Sequence, residues 1–148
     1  MRRRLCFPIL VIAAATATPG HAAANPSARF VEATATCIAA TSAAGVDEDV
    51  LARDGWQRVS TDAEEAKGVR TFGRADHVPI MLPSKAGGCV VQSDSPPSDG
   101  VEALIQSLTT AYGNPKVKMP GLALFEPGPH ALVVINDRRG TGISVAMQ

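Results

Sequence analysis

The polar and apolar positions sort this chain into two helical stretches and a series of short alternating segments. Across residues 101–112, Val101, Leu104, Ile105, Leu108 and Tyr112 recur at steps of three and four, which predicts a helix with one buried face. Asp99 and Glu102 stand at capping-box spacing at its start, and Gly113, Asn114 and Pro115 end it. An earlier helix is predicted over residues 26–44. There Phe30, Ala33, Thr34, Cys37, Ile38, Thr41 and Ala44 fall on one side, with Glu32, Thr36 and Ala39 opposite. Asn25 or Ser27 can cap its start, Pro26 suits its first turn and Gly45 suits its end. Residues 47–54 predict a further short helical turn, closed by Gly55.

The remaining pattern is that of strands, over residues 56–59, 69–74, 87–92, 121–126, 130–135 and 141–147. Between the first two, Thr61 and Glu64 have the spacing of a capping box on a single turn. Pro79 and Pro83 bracket Ile80, Met81 and Leu82; proline cannot donate to a ladder, so this piece is assigned to a sheet edge or a loop. In the last segment Ile143, Val145 and Met147 alternate with Gly142, Ser144 and Ala146, as in a strand with one covered face and one wet face. The order is helix, strands, helix, strands, with neither a repeat nor a regular βαβ alternation. It predicts an α+β fold of two layers: about five mostly antiparallel strands, with two main helices on one face.

At 148 residues and 45% hydrophobic, the chain fits one globular domain with a core of its own. Aromatic residues are only 4%, and alanine dominates the first part of the sequence, so that core rests on Val, Ile and Leu of the later half. The opening residues read as a targeting segment. Arg2, Arg3 and Arg4 precede an apolar run from Leu5 to about Ala17, followed by Pro19, Gly20 and the small residues Ala22, Ala23 and Ala24. That run falls short of the roughly 20 residues that a membrane-spanning helix needs. Cleavage after Ala24 is expected to leave residues 25–148 as a single domain in the periplasm or outside the cell. Three arginines also suit a twin-arginine signal, although they are an ordinary charged start as well. Without them, 11 basic residues face 14 acidic ones. This mildly acidic balance, with no basic cluster, argues against nucleic-acid binding.

Cys6 lies within the leader, which leaves Cys37 and Cys89 as the pair for an oxidising compartment. Cys37 is on the inward side of the first predicted helix and Cys89 is in a predicted strand, so a disulfide between them would staple helix to sheet. A redox-active thiol would want a CxxC partner or a nearby base, and neither spacing is present.

Signals for catalysis are sparse. His77 and His130 are isolated, and a metal site would have to be assembled from them with Asp137 or another distant carboxylate; no metal and no cofactor is expected. There is no GxSxG elbow and no SxxK motif. Glu126 and Asp137 could form a carboxylate pair if strand ends bring them together. Gly87 with Gly88, and Gly140 with Gly142, match no phosphate loop and read as strand punctuation. The most suggestive binding feature is the alternation of Arg70, Phe72 and Arg74, which on a strand puts two guanidinium groups around one ring, a surface for a carboxylate, a sulfated or phosphorylated glycan, or an acidic segment. Arg138 and Arg139 extend the same chemistry at a hairpin tip. The sequence therefore leads to a disulfide-braced exported protein that works by binding an anionic ligand or an envelope protein. The alternative is a small hydrolase or metal-dependent enzyme using His77, His130 and loop carboxylates, and a third possibility is a purely structural envelope protein.

Overall fold

The computed structural model describes residues 25–148 apart from residue 86, so the expected leader, with Cys6, lies outside the described residues. The chain opens with α1 (Pro26–Ala40), a two-stranded hairpin of β1 (Thr41–Ser42) and β2 (Gly45–Val46), and α2 (Glu48–Arg53). Then come β3 (Gln57–Arg58), α3 (Asp62–Ala66), β4 (Val69–Gly73), β5 (Ile80–Pro83) and β6 (Cys89–Ser93). After α4 (Val101–Tyr112) the chain closes with β7 (Val117–Met119), β8 (Leu122–Phe125), β9 (His130–Asp137) and β10 (Gly140–Met147). Every pairing is antiparallel, in one eight-stranded sheet of order β3-β4-β5-β6-β10-β9-β8-β7.

The mixed helix-and-sheet class is as expected, but eight strands replace the expected five or so, and the small β1–β2 sheet is additional. Two of the eight strands, β3 and β7, are only two or three residues long, too short to leave a period in the sequence. The segment bracketed by prolines is also not an edge. β5 lies inside the sheet, between β4 and β6. Its ladder to β6 consists of Ile80↔Val91 and Met81↔Val90 alone, so the prolines stay at its ends, where no donor is demanded of them.

One face of the sheet supplies the core. Phe72, Ile80, Val91, Ile143, Val134 and Ala123 form one buried row across it, and Leu82, Cys89, Val145, Leu132 and Phe125 form the next. Against these pack Phe30, Ala33, Cys37 and Ala40 of α1 and Leu104, Ile105 and Leu108 of α4, the stripes that helical spacing predicts. Thr36, expected on the far side of α1, is buried instead because its hydroxyl reaches Asp54 at the end of α2. Cys37 and Cys89 form the disulfide, with Cα atoms 6.0 Å apart, so the staple runs from α1 to β6 as expected.

The two expected capping boxes divide into one success and one correction. Thr61 and Glu64 make the predicted capping box on α3: Thr61 Oγ1 accepts from the Glu64 amide, and Glu64 Oε2 accepts from the Thr61 amide at 2.7 Å. The bond from the Thr61 amide, aided by the Thr61 hydroxyl, holds the Glu64 carboxyl below its ordinary 4.5. A group whose folded value is depressed contributes its stability above its unfolded value and loses it as pH falls through the folded one. Carboxyl-carbon NMR is therefore expected to find Glu64 titrating below its ordinary value, and Thr61→Ala, which keeps the amide but loses the hydroxyl, returning it part of the way upward; an ordinary value in the parent protein would refute the box.

Asp99 does not cap α4, whose N-cap is Gly100 with no side-chain bond. It reaches across to α1 instead, accepting from the Ser27 hydroxyl at 2.9 Å and the Ser27 amide at 3.3 Å. One carboxylate thus ties the loop before the second long helix to the first turn of the other, where it also meets the positive end of the helix dipole.

Candidate binding face of the sheet

The alternation of Arg70, Phe72 and Arg74 is real, but it lies on the covered side of β4. Phe72 is only 4% exposed and belongs to the core. Arg70 Nη1 pairs with Glu48 Oε1 of α2 at 3.0 Å. Arg74 donates from Nη1 to the Asp54 carbonyl at 3.1 Å and lies 3.5 Å from Glu32 Oε2, with its guanidinium carbon 5.7 Å from the Trp56 ring centroid. Both guanidinium groups thus engage the acids of α1 and α2. They seal the end of the helix layer around a phenyl ring that faces inward.

His77 joins this cluster. Its Nδ1 lies 2.7 Å from the Ala75 carbonyl, while Nε2 lies 2.5 Å from Glu32 Oε2 and 2.7 Å from Arg74 Nη2. With Nδ1–H donated to the carbonyl, Nε2 donates to the carboxylate when protonated and accepts from the guanidinium when not. The ring stands edge-on to Trp56, with centroids 5.7 Å apart. His130 is elsewhere, its Nε2 3.0 Å from the carbonyl of Thr41 just past the end of α1. Nine residues of helix rise separate Glu32 from Thr41, about 13 Å, so the two histidines do not share a site.

The carboxylates expected at strand ends are divided as well. Glu126 follows β8 where that strand meets Leu132 of β9, and Asp137 ends β9 beyond Ile135, which pairs with Leu122 at the opposite end. Strand rise sets them roughly 20 Å apart along the ladder, well beyond the separation of about 10 Å or less that glycoside hydrolysis uses. Among the described residues, no group of three or more His, Cys, Asp or Glu side chains could hold a metal ion.

The feature that carries most is the other face of the sheet. Its middle row runs Met81, Val90, Ser144, Val133, Leu124 and Val117, across six strands in register. The next row runs Gln92, Gly142, Ile135, Leu122 and Met119. Neither row contains a charge, and the ion pairs of the described residues use no member of either. A solvated sheet face ordinarily reads polar, yet here Ile135 is 45% exposed and Met119 53%. On central β10 the outward residues are the small Gly142, Ser144 and Ala146, with Val90 on one flank and Val133 and Ile135 on the other. Gly142 and Ser144, with Val90, Gln92 and Ile135 beside them, line a shallow depression of about 180 Å³ that ends at Asp137 and Arg139.

The alternation of β10 by itself predicts one covered and one wet face, so this face escapes a reading of that strand alone. The signal was in β8 and β9, where Leu122, Ala123, Leu124 and Phe125, then Ala131, Leu132, Val133, Val134 and Ile135, are unbroken apolar runs of the kind strands show when both faces are covered.

Comparison with protein families, with curated proteins and with solved structures finds no match for this chain.

Proposed function

We propose that this chain is an exported, disulfide-braced protein that acts by binding, as an accessory or interaction module of the periplasm or the extracellular space, and that the outward sheet face is its contact surface. The observation that supports this reading is the absence of charge from two consecutive rows of that face, where aliphatic side chains meet solvent. Contiguous exposed apolar surface on a soluble protein marks a place that something covers. The buried disulfide and the leader both fit an oxidising compartment. No helix among the described residues is long and apolar enough to cross a membrane.

A photoreactive residue at position 135, introduced in the native host, tests the surface directly. The expected result is a discrete adduct from position 135 and none from the same group at Gln106, which is exposed on α4. No adduct at 135, or equal labelling from both positions, would refute the assignment of the face.

The enzyme reading retains one supporting observation, the close contact of Glu32 with His77. It predicts hydrolysis of a model ester by the purified protein that His77→Ala abolishes; the same rate in both proteins would remove it.

A further inference from the structure

We infer that the outward sheet face is covered by a second copy of this chain, making the protein a two-fold dimer of stacked sheets. The inference rests on the proposal that this face is the contact surface, and three observations lead to the occupant.

The first is extent. From β5 to β7 the face spans six strands of the sheet. At a spacing of about 4.8 Å between strands, with two outward rows about 7 Å apart, it measures roughly 30 by 14 Å, or about 400 Å² per copy. Two copies then bury about 800 Å², the size of a weak, transient contact rather than of an obligate one. The area suits a pair that forms and parts with concentration rather than a long wrapped segment.

The second is charge. A two-fold contact sets a patch against itself, so any charge on it meets its own sign near the axis. The acidic excess of residues 25–148 makes this a real constraint, and the chain satisfies it by leaving both rows without ionisable side chains. A charged partner segment would find no counter-charge on these rows, whereas a second copy needs none.

The third is shape. The small residues of β10 keep the centre of the face low between flanks of Val, Ile, Leu and Met, and the flexible Met119 and Met81 are side chains that can fill an uneven gap between stacked sheets. Sheets stacked face to face stand about 10 Å apart, which is the depth two facing layers of such side chains fill.

Sedimentation of the purified, oxidised protein from about 1 to about 500 µM tests this, a range chosen because an interface of modest area gives micromolar association. The expected result is a shift from one copy to two across that range, with association weakened at least about tenfold by Ile135→Lys, which buries an unpaired ammonium at the contact. Because Ile135 is already half exposed, this variant should melt where the parent does; Ser144→Asp on the central strand serves as the second, independent disruption. A single copy at the highest concentration overturns the inference, and so does a dimer that ignores both substitutions. The mass of the adduct from position 135 separates the two proposals. Twice the chain mass supports the second copy, a different mass refutes the dimer while keeping the face as a contact surface, and no adduct refutes both.

Discussion

Replacing Cys37 and Cys89 together by alanine is expected to lower the stability by about 4 kcal/mol. The bridge spans 52 residues, and closing a loop of that length removes about this much entropy-derived free energy from the unfolded chain. A domain of this size holds about 5–15 kcal/mol in all, so the loss is a large share of the total. With a urea dependence of about 2 kcal/mol per molar, the unfolding midpoint should fall by about 2 M. Both half-cystines are buried, Cys37 between α1 and the sheet and Cys89 in the row with Leu82 and Val145, so alanine also leaves unfilled space. Reducing the parent protein isolates the covalent term, because the sulfur atoms stay in place. Reduced parent and double variant should therefore both melt early, the variant somewhat earlier. If the reduced parent unfolds at the midpoint of the oxidised one, the bridge does not brace the fold.

The second large effect is expected from a single added methyl group. Gly140 opens β10 at φ +122°, a conformation that side-chain-bearing residues rarely adopt, and a Cβ there would stand 2.1 Å from the Ser93 carbonyl oxygen. That obstacle is backbone of the neighbouring strand β6 and cannot rotate away. Gly140→Ala should cost about 3 kcal/mol or more, combining dihedral strain with overpacking, and lower the melting temperature by about 10 °C. Gly142→Ala, two residues along the same strand, is the control. Its Cβ would meet nothing nearer than the Val91 carbonyl oxygen at 3.9 Å and would point to the open face. It should melt within a few degrees of the parent, and equal losses from the two variants would refute the steric argument.

These two glycines illustrate what could be read in advance. Their place at the start of a strand was legible as punctuation, but the need for glycine at one and not the other comes from β6, which lies 47 residues earlier at Ser93. Local chemistry was readable throughout. The stripe of α4, the inward side of α1 with Cys37 on it, and the reciprocal bonds of Thr61 and Glu64 all depend on spacings within one or two turns. What escaped was set by remote partners. Asp99 has the spacing to cap its own helix but binds Ser27, 72 positions away, because the two long helices lie side by side. Arg70 and Arg74 alternate correctly with Phe72, but which side of β4 faces the helices is decided by the packing of α1 and α2, whose acids then claim both arginines. The candidate face was the least legible of all. It exists only through registers that bring residues from six strands into line.

The placement of β10 bears on how the molecule can be assembled. The last strand in the chain is the fifth across the sheet, bonded to β6 on one side and β9 on the other. Until residues 140–147 arrive, β3 to β6 and β7 to β9 are separate ribbons, each with a bare inner edge. The two cannot merge into one layer as synthesis proceeds, and contacts this distant in sequence form slowly. Loss of the final segment would therefore split the sheet rather than shorten it. The interval before it docks is when these edges are open to holdase chaperones, to proteases and to other nascent copies.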